Sequence, residues 1–205
     1  MAVRLWRAIV GFATSPRDLL IWVAGGVCAL AAIGIGALVV VEGGLFNATA
    51  STPHIPIVAV AAHTAFIRSV EVRAEGIKTP AHFTAVEVKA GFRDYDASCS
   101  SCHGAPGVSN AGWAHTMTPP PPYLEDAARR WRPRELYWIV GQGVKMTAMP
   151  AWAEVRSKDQ VWDLVAFLEA LPYLSAADYA RMRRAAGPNG AGSAIQAPGA
   201  SRPAT

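Results

Sequence analysis

Cysteine is scarce in this chain, with three among 205 residues. An odd number excludes a framework built only of disulfides. Charge is scarce as well: 17% of residues are charged and 52% are hydrophobic. That is rich in apolar residues for a soluble domain and poor for a polytopic membrane protein, so the composition points to one spanning segment joined to one small soluble domain. No long run of lysine or arginine accompanies the net charge of +4 and pI near 9.2. Nothing therefore points to nucleic acid as a partner. There is no internal repeat, and the part of the chain after residue 85 has no alternating strand pattern.

One long apolar run is present. Residues 19–41 read LLIWVAGGVCALAAIGIGALVVV without a charge. At about 1.5 Å per helical residue the run extends roughly 34 Å, enough to cross a bilayer core. Arg4, Arg7 and Arg17 precede it and Glu42 follows it, which by the positive-inside rule places residues 1–18 in the cytoplasm and the rest outside. Ala48-Thr49-Ala50 has the look of a cleavage site. A signal-peptide core is only about 7–15 residues long, however, and a retained anchor is the expectation. Cys28 lies within the run and reads as a small buried hydrophobe. Small residues from Ala24 to Ala32 offer either a close-packing face or lipid-facing filler.

Residues 42–84 read as a linker that contains an apolar stretch, PHIPIVAVAAHTAFIRSV, too short for a span. A helix starting at Pro56 is expected there, lying at the membrane surface or packing on the soluble domain or a partner subunit. Residues 71–84 read as a connector. Residues 175–205 are expected to be a flexible tail, Gly/Ala/Pro/Ser-rich from about Ala185. Between these lies the compact domain, residues 85–174, with an all-α reading. Helices are expected over 86–101, over 133–141 with Pro133 at its first position, and over 158–171, opened by a Ser157/Gln160 capping box and ended by Pro172. Apolar residues at 161, 164, 165, 168 and 171 follow the helical period. A domain this small has a marginal core, and a large apolar cofactor at its centre would complete it.

The chemistry concentrates in Cys99-Ser100-Ser101-Cys102-His103. This C-x-x-C-H spacing puts two thiols on one helical turn, where they can add to the two vinyl groups of a haem, with the adjacent imidazole reaching the iron as proximal ligand. The rival readings are weaker. A zinc site needs a second ligand pair, and the domain has no further cysteine. A thioredoxin-like motif needs a strand-to-helix setting in an α/β chain.

An electron-transfer haem has its sixth position filled, and a methionine thioether is a soft ligand that raises the potential. Met117, Met146 and Met149 are the candidates within the domain. Met149 leads because Met149-Pro150-Ala151-Trp152 has low helical tendency and suits a loop across a haem face; Met146 and then His115 follow. Residues 119–122 and Tyr123 read as a wall beside the haem edge or a surface loop. Arg129, Arg130, Arg132 and Arg134 form a basic cluster that reads chiefly as a solvated face. Trp113, Trp131 and Trp138 read as porphyrin contacts or core. His54, His63 and His82 fall outside the domain, where a second cofactor is a minor alternative to ordinary surface residues.

The domain resembles class I, mono-haem cytochrome c. The resemblance rests on Gly91, Tyr95, CSSCHG at 99–104, VGQGVKMTAMPAW at 140–152 and VWDLVAFLEALP at 161–172, and it covers under half of the chain. It implies an all-α cytochrome c-type domain around one covalent haem c, with Met149 as distal iron ligand beside His103. It also implies that the first and last helices cross near a small residue and aromatics, for which Gly91, Tyr95, Trp162 and Leu168 are placed. The first helix reads Gly91-Phe92-Arg93-Asp94-Tyr95, where the family commonly has a Gly before a Leu-Tyr pair. Anchored relatives pass single electrons between quinol-oxidising complexes, periplasmic dehydrogenases and terminal oxidases. The expectation is therefore an electron carrier rather than an enzyme, single-pass in a bacterial inner membrane with its haem domain on the periplasmic side. A peroxidase or gas-sensing haem domain is the alternative.

Overall fold

In the computed structural model, residues 15–187 are described. They are mostly helical and contain no strand. Arg4 and Arg7 of the positive flank lie outside them, as does the tail beyond Gly187. The chain divides into two units between Thr49 and Ala50.

The first unit holds α1, Pro16–Glu42. Ser15 caps its start by accepting a bond from the Asp18 amide at 3.2 Å, and Pro16 occupies the first turn, where a missing N–H costs nothing. None of its residues is buried against the chain. It is long and apolar enough to cross a membrane, by length and composition.

The second unit begins with α2, Pro56–Ala74. The first four residues of the connector expected over 71–84 are in fact the last turn of this helix, and residues 75–84 are non-helical as expected. Its C-terminal half packs on the domain that follows: Val70 and Ala74 are fully buried, and Phe66 meets Trp131 edge-on at 5.9 Å. Its N-terminal half leaves Ile57 and Val60 exposed.

Next come α3, Ala85–Ser98; the single turn α4, Ser100–His103; α5, Ala127–Arg130; α6, Pro133–Gln142; α7, Lys158–Ala170; and α8, Ala176–Ala186. The expected helix over 86–101 is two helices broken at Cys99. Thr84 and Glu87 cap α3 reciprocally, and Ser157 and Gln160 cap α7 in the same way, as the capping-box pattern predicts. Helices α3 and α7 cross tightly at Gly91. A Cβ there would lie 1.8 Å from the Asp163 carbonyl oxygen and 2.9 Å from the Phe167 Cβ. Only glycine permits that approach. Around the crossing, Phe92, Tyr95, Phe167 and Tyr179 form one aromatic cluster with ring centroids 5.0–6.4 Å apart. Leu168 is buried nearby. Trp162 is elsewhere, stacked on Tyr137 at 4.3 Å.

Helix α8 corrects the expectation of a flexible tail from residue 175. Ser175 and Asp178 cap it, Tyr179 is fully buried, and the Tyr179 hydroxyl donates to Asp96 on α3 at 2.8 Å. Arg183 adds a two-oxygen grip on the same carboxylate. Tyr179 and the charge-assisted pair dock the helix, and Met182 and Ala186 pack against the same core.

Candidate functional site

The C-x-x-C-H segment is built as a tight turn. The Cys99 carbonyl accepts from the amides of Cys102 at 3.0 Å and His103 at 2.9 Å, so the two thiols share one helical turn. Both cysteines are free thiols. Gly104, at φ 68°, ends the turn in a conformation that favours glycine, and a Cβ there would strike the Tyr123 ring at 2.6 Å.

The loop that follows folds back over this turn. The Tyr123 hydroxyl donates to Asn110 Oδ1 at 3.0 Å, and Asn110 Nδ2 donates to the Cys102 carbonyl at 3.2 Å. The Ala111 amide donates to the Ser101 carbonyl at 2.8 Å. From α3, the Tyr95 hydroxyl donates to the Gly104 carbonyl at 2.6 Å. His103 Nδ1 lies 2.7 Å from the Pro122 carbonyl oxygen. A carbonyl only accepts, so the proton of this bond sits on Nδ1, and Nε2 keeps a free lone pair. Burial holds the imidazole below its ordinary pKa, against the opposing pull of the Pro122 bond. The ring is therefore neutral at neutral pH, as a metal-ligating imidazole must be. Burial pushes the Cys99 thiol up to about 12. An exchange-active C-x-x-C needs a depressed thiol pKa, so the thioredoxin-like reading loses its chemistry.

Met149 is partly buried and packed against the same core. Its segment is pinned at the end of α6: the Val144 amide donates to the Met149 carbonyl at 3.2 Å, and a Cβ on Gly143 would lie 2.6 Å from Pro150. Met146 is 91% exposed and adopts a positive φ of 62°, whereas Met149 is partly buried. His115 is exposed, as are His54, His63 and His82, and among the described residues no group of three or more His, Cys, Asp and Glu could hold a metal ion. The zinc reading thus lacks its ligands there. Trp131 packs on Phe66 and the core, while Trp113 is half exposed. Arg129, Arg130 and Arg132 are exposed, in keeping with a solvated face.

Two features lay outside sequence reasoning. One is the Pro122 carbonyl that orients His103; proline runs mark the loop but not the direction of its carbonyls. The other is Arg156, buried between α3 and the segment after Met149.

Residues 86–168 match the family model described as "Cytochrome C oxidase, cbb3-type, subunit III". These residues are a cytochrome c domain. Neither the curated proteins nor the solved structures contain a significant match to the chain. A cytochrome c domain is one that binds haem c for electron transfer. The side chains on hand suit that group: two free thiols on one turn, an adjacent imidazole with Nδ1 already bonded and Nε2 free, and one partly buried thioether.

Proposed function

We propose that this chain is a membrane-anchored electron carrier. In this reading one haem c is held covalently through Cys99 and Cys102, with His103 as proximal and Met149 as distal iron ligand. The haem would supply one-electron chemistry. The chain's own part would be to hold it through Cys99 and Cys102, ligate its iron from His103 and Met149, and exclude other ligands. The observation that carries the reading is the His103–Pro122 bond, which fixes the tautomer and leaves Nε2 available.

We place α1 across a bacterial inner membrane with the haem domain on the periplasmic side, and the partners among quinol-oxidising complexes, dehydrogenases and terminal oxidases of a respiratory chain. The matched family is described as an oxidase subunit. That description, together with the exposed apolar start of α2, supports a fixed haem subunit over a free shuttle. Detergent extraction followed by sizing separates the two, a subunit migrating with larger partners.

The central test is an absorption spectrum of the detergent-purified protein, oxidised and reduced, with a denaturing pyridine assay on the same sample. Haem that survives denaturation, with a low-spin spectrum and the weak far-red methionine–iron band, is expected. Attached haem without that band would remove Met149 and open a peroxidase or gas-sensor reading, and absence of covalent haem would overturn the proposal.

A further inference from the structure

We propose that Arg156 is a positioning residue that holds the Met149 loop at a set distance from the end of α3, and so keeps the thioether on the iron. The inference rests on Met149 being the distal ligand. Arg156 is almost wholly buried, its side chain 2% exposed. Its Nε donates to Asp94 Oδ2 at 2.9 Å and its Nη2 to Ser98 Oγ at 2.9 Å. Asp94 and Ser98 are one helical turn apart on α3, and Ser98 directly precedes Cys99. The guanidinium also lies 4.4 Å over the Trp152 ring, three residues beyond Met149. One planar group thus joins the helix end that presents Cys99 to the chain that leaves Met149.

The residue type matters. A buried ion pair adds little net stability over a well-packed apolar group of similar size, because both charges are desolvated. A rigid guanidinium adds direction: two bonds spaced to successive turns of α3 and a stack on Trp152 admit a single register. Lysine has the charge without the fork. The cost is visible in Nη1, which is buried without a hydrogen-bond partner among the described residues. The other charged tie on α3, from Arg183 to Asp96, also crosses between elements, but it holds α8 and does not touch the Met149 loop.

That contrast supplies the test. The oxidised full-length holoprotein in detergent is titrated with imidazole, an external ligand that competes with Met149 for the iron, and the methionine–iron band is followed in the same samples. Arg156→Ala is expected to raise imidazole affinity by roughly tenfold or more, since it removes two charge-assisted bonds. Ser98→Ala should raise it less, and Arg156→Lys should fall between. Arg183→Ala should lower the melting temperature and leave imidazole affinity where it was. If Arg156→Ala does not fold, Ser98→Ala against Arg183→Ala carries the comparison. Equal imidazole affinity in the Arg156 or Ser98 variants and the unaltered protein, or equal gains in the Arg183 variant, would overturn the proposal. Absence of the band in the unaltered protein would instead overturn the Met149 reading itself, and the role of Arg156 with it.

Discussion

The two sides of the proposed haem site are held by different means. On the cysteine side, the bonds are close in sequence. The turn from Cys99 to His103 is bonded to itself, then to Tyr95, Asn110 and Pro122, and the widest of these links spans 19 residues. On the methionine side, the loop is bonded to itself between Val144 and Met149, and its one long-range side-chain tie among the described residues runs through Arg156 to Asp94, 62 residues away. The near side closes its bonds within residues 95–123, whereas the Arg156–Asp94 tie joins the Met149 loop to α3 across the domain. In the proposed site, the proximal histidine would be firmly seated, and the distal ligand would depend for its grip on the whole domain.

The largest expected effect breaks the near side outright. Cys99→Ala combined with Cys102→Ala removes both thioether bonds, and haem should leave completely in the denaturing pyridine assay; haem retained through denaturation would sink the attachment scheme. Next comes the crossing on which the far side depends. Gly91→Val inserts atoms where a Cβ already meets the Asp163 carbonyl at 1.8 Å. Overpacking against backbone is expected to cost about 3 kcal/mol or more, read by denaturant melts of the holoprotein. A near-neutral result would show that α3 and α7 can slide apart. Met149→Ala should spare the near side: haem stays attached, the methionine–iron band disappears, and carbon monoxide binds the reduced protein readily. Tyr95→Phe is smaller again. It strips the Gly104 carbonyl of its buried donor and should cost about 1–2 kcal/mol while leaving the band intact.

The same contrast governs how much was legible in the sequence. The near side is a local pattern, so Cys99, Cys102 and His103 stand out from spacing alone. Helix starts were legible for the same reason, since Ser157 and Gln160 make their bonds within one turn. The sequence favours Met149 over Met146 because Pro150, Ala151 and Trp152 follow it. What could not be read is long-range. Asp94 and Arg156 look like two ordinary surface charges until the fold buries them together. Helix α8 carries too few apolar residues for a periodic signal, and its docking depends on Tyr179 and Arg183 finding Asp96 from the far end of the domain. The docking of α2 depends on Val70 and Ala74 meeting α6, a pairing that no local pattern encodes.

The smallest prediction concerns the start of α3, the helix that both sides share. The Thr84 amide and hydroxyl both donate to Glu87, at 2.6 and 2.7 Å, and these bonds hold its carboxyl below the usual value of 4.5. A carboxylate whose folded pKa is lowered contributes stability that is fully present above its unfolded value and lost as pH falls through the folded one. Melting temperature should therefore decline below about pH 4.5 partly through this cap. Glu87→Gln, which keeps an acceptor but does not titrate, should remove a small part of that decline and leave the melting temperature near neutrality almost unchanged. Because the cap lies at the opposite end of α3 from Cys99, the methionine–iron band should follow the same curve in both proteins. A band lost at higher pH in the Gln variant than in the unaltered protein would mean that fraying at Thr84 reaches the Asp94–Arg156 tie, and that the grip on Met149 begins a full helix length from the iron.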